Sequence, residues 1–391
     1  MMKKLPVLVL LTILFFNLQS QNIKGFYVDG FNSILGNTVR EDSVLLFAKN
    51  NGFNYITLYN VHQVNSVTPL TNTTTAQVFA NFINKAKTQY SITEVGVAAE
   101  NYTFFRNVIY VYNQQHSSPN QKVDVYNLEF EFWISSSVTS GSYYCTTYLQ
   151  PNGFSCDTAG AFGFYKKTLK RIDSLANATG QKSEAYFGFF NAGQGKQIVQ
   201  TGVDRVLLSI YIPSANYSQS YQYNYVKPRL QSLATDNSNI KVMPLYSSEP
   251  SFMQTWVNAN PFFLPYTNLA SSLTAETGLW KNYIQLEGIQ WFAYSFLPKK
   301  NLTTSILDNI KESMSVSVYP NPAKDIITIE TSELMNPVQL SIKNILGEEV
   351  FMVEICQSSK EIDVSAFVQG IYFVTVYSND KLITKKLVIE K

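Results

Sequence analysis

Two glutamates separated by a single residue, Glu129 and Glu131, are the side chains in this sequence best placed to do chemistry. They belong to the run Val123-Asp124-Val125-Tyr126-Asn127-Leu128-Glu129-Phe130-Glu131-Phe132-Trp133. Side chains on a β-strand alternate between its faces. Leu128, Phe130 and Phe132 therefore share one face, while Asn127, Glu129, Glu131 and Trp133 share the other. Two carboxyls turned into one confined space repel each other and lose hydration, which raises the pKa of at least one. A carboxyl that keeps its proton near neutral pH can act as a general acid.

Such a row needs a strand that ends at a shared hollow, and the surrounding pattern predicts one. Strand-like runs at 25–29, 55–59, 93–98, 125–133, 185–190, 206–212, 242–246 and 289–294 alternate with amphipathic stretches. About eight strand–helix units between residues 22 and 298 predict an α/β fold, a (β/α)8 TIM barrel. A doubly wound sheet is the rival, but Tyr27-Val28-Asp29-Gly30-Phe31 carries no G-x-G-x-x-G phosphate loop. In a barrel the carboxylate row ends at the C-terminal mouth, where barrel enzymes keep their active sites. Asp29, Tyr59 and Glu100 follow strands one to three and are further mouth candidates. Trp133 and Trp291, at strand ends, are candidates for stacking on a sugar ring.

Residues 299–315 read as a linker. Residues 316–391 change to short alternating strands between turns, the pattern of a small all-β sandwich. At the other end, Lys3 and Lys4 precede an apolar run over 5–16, so residues 1–20 read as a secretory signal cut after Ser20. That run is shorter than the roughly 20 residues a membrane span needs. No later stretch is apolar enough, so no span is expected once the signal is removed. Export permits disulfides, and Cys145 and Cys156 lie close together in the long polar loop 134–159. A bridge there would staple a wall beside Glu131, while Cys356 is left over as a small apolar residue.

Composition removes other classes. The 30 basic and 28 acidic residues leave a net charge of +2, without the basic surplus that nucleic-acid binding requires. Two histidines and three cysteines argue against a zinc site, and no G-x-S-x-G is present. No metal and no organic cofactor are expected.

The fourth-strand row resembles glycoside hydrolase family 18, whose signature is D-G-x-D-x-D-x-E at the end of the fourth barrel strand. In register, Asp124, Asn127 and Glu129 take the three Asp positions and Glu131 the final Glu. The resemblance implies that Glu131 donates a proton to the glycosidic oxygen. Glu129 would orient the substrate's N-acetyl group, whose own carbonyl oxygen attacks the anomeric carbon, a substrate-assisted route. By the same resemblance Tyr211, in Ser209-Ile210-Tyr211-Ile212, supports the acetamido group. Tyr246, in Met243-Pro244-Leu245-Tyr246, and Trp291, in Gly288-Ile289-Gln290-Trp291, would line the sugar subsite together with Asn127, Trp133 and Asp29. The sequence departs from the signature at Val125, Asn127, Glu129 and Ile212. A second reading pairs Glu131 with Glu249, after strand seven, as acid/base and nucleophile of a retaining barrel glycosidase. A third keeps the groove but not the catalysis, as a glycan-binding surface protein.

The tail resembles the type A sorting domain of the type IX secretion system. The matching pieces are Val318-Tyr319-Pro320-Asn321-Pro322, Ile342-Lys343-Asn344-Ile345-Leu346-Gly347, Gly370-Ile371-Tyr372 and Lys385-Lys386-Leu387-Val388. It implies passage across the periplasm and outer membrane, with residues 316–391 read by the secretion machinery. The partners expected are thus that machinery and a polysaccharide or glycoprotein glycan, at the cell surface or released.

Overall fold

The computed structural model describes residues 22–234, 239–299, 316–331, 338–344, 348–355, 357, 359–378 and 381–391. The expected signal (1–20), nearly all of the linker (300–315) and Cys356 lie outside the described residues. The chain divides into two compact units, residues 1–298 and 299–391.

The first unit is a closed parallel barrel. Its strands are β1 (Ile23–Val28), β2 (Tyr55–Leu58), β3 (Glu94–Ala99), β4 (Val125–Leu128), β5 (Lys182–Phe187), β6 (Arg205–Ser209) and β7 (Ile240–Ser247), then β8 (Ile284–Leu286) and β9 (Gly288–Phe292). Each strand from β1 to β7 pairs in parallel with the next, and β9 closes the ring between β7 and β1. The eighth position is an interrupted strand: β8 pairs with the start of β7 and β9 with its end. Helices fill the crossovers, the longest at Thr158–Thr179. Asp157 caps that helix by accepting from the Gly160 N–H, and Gly180, at φ 75°, ends it.

The lower lumen carries a polar network set among apolar side chains such as Val125 and Leu207. Arg205, 1% exposed, bonds through Nε to Glu184 at 2.5 Å and through Nη1 to Glu94 at 3.1 Å and Glu287 at 3.4 Å. The other Glu184 oxygen accepts from Tyr55 (2.8 Å), Asn127 (2.6 Å) and Gln290 (3.3 Å). Lys182 pairs with Glu94, and Lys241 with Glu287. Tyr55 fits inside because two neighbouring strands carry no side chain beside it. A Cβ on Gly96 would stand 2.5 Å from the Tyr55 hydroxyl, and one on Gly25 2.8 Å from its ring.

Strand four is shorter than the pattern predicts: β4 ends at Leu128, and residues 129–133 leave the ladder. Glu129 still donates its N–H to Ala99, after which tight turns at Phe130–Phe132 and Glu131–Ile134 take over. The alternation of faces nonetheless persists. Phe130 and Phe132 are buried on the helix side against Phe164, Phe162 and Tyr165, which leaves Glu129 and Glu131 turned inward.

The second unit is a sandwich of two antiparallel sheets. One orders β10 (Val316–Tyr319), β11 (Ile326–Thr331) and β14 (Ser359–Asp363). The other orders β13 (Glu349–Ile355), β12 (Val338–Asn344), β15 (Gly370–Ser378) and β16 (Lys381–Ile389). Ile327, Ile329, Leu340, Ile342, Val374 and Leu387 form its core. Asn321 ties two of the sequence motifs together, donating to the Lys386 carbonyl at 2.7 Å and accepting from the Val388 N–H at 2.9 Å.

Arg205→Met should cost about 3–5 kcal/mol, because Glu184 would then be buried without its counter-charge. Urea unfolding followed by circular dichroism measures this. A loss below about 1 kcal/mol would mean that the pair does not hold the barrel together.

Candidate active site

Above the charged floor the barrel opens into a mouth built from the ends of β2 to β7. Glu129 and Glu131 enter it from the segment after β4, Glu100 from the residue after β3, and Tyr186 and Tyr211 from β5 and just beyond β6. Phe130 anchors the carboxylate segment from behind, stacking on Tyr144 with ring centroids 4.2 Å apart. The Tyr165 hydroxyl donates to the Tyr186 carbonyl at 3.0 Å and fixes β5 to the long helix.

None of Glu100, Glu129 and Glu131 forms an ion pair among the described residues. Glu129 Oε2 is shut off from solvent with no hydrogen-bond partner. Its pKa is pushed up to about 8, by burial first and then by the charges of Glu131 and Glu100. Burial also raises Glu131, with the charge of Glu100 adding to it, while a hydrogen bond from Tyr186 at 3.4 Å works in the opposite direction. Tyr211 lies beside Tyr186, and each shifts the other's proton affinity. Tyr211 is itself raised by burial and by the charges of Tyr186, Glu129 and Glu249. Glu249 lies just after β7, accepting from the Ser247 hydroxyl at 2.8 Å. Glu129 thus holds a proton at neutral pH, beside a second carboxyl whose proton affinity is also raised.

A cavity of about 210 Å³ adjoins Glu129 between the ends of β2 and β3. It is lined by Tyr59, Asn60, His62, Glu100, Asn101 and Phe104 among others, and by Tyr143 and Tyr148 from the loop after β4. Both of those phenols donate to Glu100 Oε2, at 2.9 and 2.7 Å. The disulfide Cys145–Cys156 closes this loop, with Cα atoms 5.2 Å apart.

The structure brings Glu129, Glu131, Tyr211 and Trp133 together at the mouth. Trp133 lies over Gly188, edge-on to Tyr186 at 5.4 Å. Four expected substrate contacts are placed elsewhere. Trp291, 0% exposed, packs on Tyr246 and donates to the Phe262 carbonyl at 3.0 Å, in the layer between barrel and helices. Tyr246 faces that same layer and donates to Gln222 at 2.7 Å. Their strands turn Gln290, Leu245 and Ser247 inward instead. Asn127 does face the lumen, but one layer too deep: its amide bonds Glu184 and Tyr27 beneath the mouth. Asp29 accepts from the Ser295 N–H at 3.0 Å and caps the loop after β9. Asp124 sits at the start of β4, paired with Lys87 at 2.7 Å.

Sequence reasoning missed Tyr186, Asn60, His62, Tyr143 and Tyr148. Only Tyr186 carried a signal, its alternation with Glu184 along β5. Among the described residues, no group of three or more His, Cys, Asp or Glu side chains is arranged to hold a metal ion. Nor is any helix among them long and apolar enough to cross a membrane.

Residues 317–390 match the family described as Secretion system C-terminal sorting domain. The chain carries that address and is exported through the outer membrane, to the cell surface or beyond. It is also similar to PorZ, a surface component of the type-IX secretion system of Porphyromonas gingivalis. That match has 23% identity and a TM-score of 0.17, covering 20% of this chain and 12% of PorZ. Two glycosidases are similar over most of the chain. The GH39 β-xylosidase of Caulobacter crescentus has a TM-score of 0.45 and 9% identity, with 88% of this chain and 93% of the xylosidase covered. The endo-β-1,4-mannanase of Cellulomonas fimi, as a double mutant, has a TM-score of 0.41 and 11% identity, with 94% of each chain covered. No curated protein matches the sequence.

The raised pKa of Glu129 makes folding pH-dependent with a definite sign. Between its ordinary value of 4.5 and about 8, the unfolded chain releases this proton and the folded chain keeps it. Stability is therefore fully present below that window and is lost as pH rises through it. Glu129→Gln removes the penalty. Its Tm should gain steadily on the parent's as pH rises from about 5 to about 8 and level off above. Parallel Tm profiles for the two proteins would show that Glu129 titrates normally.

Proposed function

We propose that the barrel is a secreted glycoside hydrolase acting on N-acetylglucosamine-containing glycans by substrate-assisted acid catalysis. The observation that carries the reading is the convergence of Glu129, Glu131 and Tyr211 at one mouth with no basic residue paired to either carboxyl. In the first step Glu131 gives its proton to the glycosidic oxygen as the bond from that oxygen to the anomeric carbon breaks. The carbonyl oxygen of the substrate's 2-acetamido group forms the new bond to that carbon, giving a cyclic oxazolinium. Tyr211 holds the acetamido oxygen in line, and Glu129 faces its N–H. Water then attacks the anomeric carbon, its proton returns to Glu131, and the ring reopens to the acetamide. Because Glu129 and Glu131 are coupled, their titration belongs to the pair. Glu129 carries the resting proton, and Glu131, whose proton affinity burial also raises, must be protonated as well for the first step. Trp133 offers a ring face beside Tyr186 for a sugar to stack on.

A second reading is favoured by Glu249, whose charge reaches the Tyr211 hydroxyl from the end of β7. There Glu131 is acid/base and Glu249 the nucleophile, and no acetamido group is needed. A groove that binds glycan without cleaving it is the third.

Chromogenic N-acetylglucosamine oligomers separate these outcomes. Glu131→Gln should lower kcat about 100- to 10,000-fold while leaving binding intact, as loss of a general acid does. Glu249→Gln should leave turnover within a few-fold of the parent. Loss of turnover in Glu249→Gln, with cleavage of substrates that lack the acetamido group, would favour the two-carboxylate route. Binding by a parent protein that never cleaves would leave a lectin.

A further inference from the structure

The cavity beside Glu129 has no part in the bond-breaking steps, and Glu131 does not line it. Its lining contains two carboxyls, Glu100 and Glu129, and no lysine or arginine. Glu129 Oε2 and Asn60 Oδ1 are both shut off from solvent and unpartnered. Glu100 spends Oε2 on two phenols, and its Oε1 has no hydrogen bond among the described residues. Between these oxygens stand the rings of Tyr59, Phe104, Tyr143 and Tyr148. A neutral sugar brings no counter-charge to this acidic lining. A compact ion such as Ca²⁺ requires six to eight oxygen ligands, and aromatic walls do not supply them. Carboxyls set among aromatic faces suit an organic cation, which pairs with Glu100, lets Glu129 release its proton and gains from the ring quadrupoles. At about 210 Å³ the space falls below the roughly 300–1,000 Å³ of pockets for drug-sized ligands, as befits a single sugar unit.

We propose that this cavity binds the protonated amine of a 2-amino-2-deoxy sugar, so that the preferred glycan is partly de-N-acetylated. Three N–H donors on one nitrogen answer three oxygens that have none: Glu129 Oε2, Asn60 Oδ1 and Glu100 Oε1. The aromatic rings pack on the sugar's carbon face and exclude water. Calling the ligand a substrate rests on the hydrolase reading, whereas the affinity for the amine does not.

Isothermal titration of the full chain at neutral pH tests the assignment. The probes are methyl β-glucosaminide, methyl N-acetyl-β-glucosaminide, methyl β-glucoside and calcium chloride. The aminosugar should bind at least about tenfold more tightly than either neutral glycoside. Glu100→Gln should erase that preference. Tyr148→Phe, which keeps the carboxyl and removes one of its hydrogen bonds, should retain it, so that loop loosening is told apart from lost charge. Equal affinity for charged and neutral glycosides overturns the proposal, as does calcium binding that excludes the amine. Turnover of the chromogenic oligomers is scored separately. An amine preference without turnover removes the hydrolase and keeps the cation site; turnover without the preference does the reverse.

Discussion

The barrel is organised around one buried ion pair, Arg205 with Glu184. Isolated charges do not survive in a lumen shut off from water, so everything nearby is arranged to satisfy these two. Tyr55, Asn127 and Gln290 complete the hydrogen bonds of Glu184, while Glu94 and Glu287 share the guanidinium. The bareness of Gly25 and Gly96 follows from the same demand, since Tyr55 reaches Glu184 only through the space they leave. The result is a floor on which three acids (Glu94, Glu184, Glu287) meet three bases (Lys182, Arg205, Lys241).

The mouth inverts that balance. Glu100, Glu129 and Glu131 stand one or two layers above the floor and share no base among the described residues. The floor's three bases are spent on its own acids, while burial first and neighbouring acid charge second raise the proton affinity of Glu129 and Glu131. A matched floor confers rigidity. An unmatched mouth retains a proton. The contrast between two layers of one lumen, rather than any single carboxyl, marks the mouth as the candidate site.

Much of this was legible in the sequence, for a simple geometrical reason. Period-two alternation survives the early end of β4, so Glu129 and Glu131 were assigned to the inner face correctly. The barrel was readable from strand–helix spacing, and the tail sandwich from its change of texture. Trp291 and Tyr246 were misread because an aromatic residue was expected to seek the sugar. In a lumen filled with hydrogen bonds it is the polar neighbour, Gln290 or Ser247, that turns inward. Asn127 was right in parity and wrong in depth, since alternation says nothing about which layer a residue occupies. Tyr143 and Tyr148 belong to no periodic segment. Their meeting with Glu100 depends on how a loop folds back, which a one-dimensional pattern does not encode.

The Cys145–Cys156 bridge bears on when the protein becomes competent. Thiols stay reduced in the cytoplasm and are oxidised only after translocation. Until then the tyrosines that reach over to Glu100 hang from an unfastened strap. The wall of the cavity beside Glu100 is therefore fastened only after the chain has left the cytoplasm.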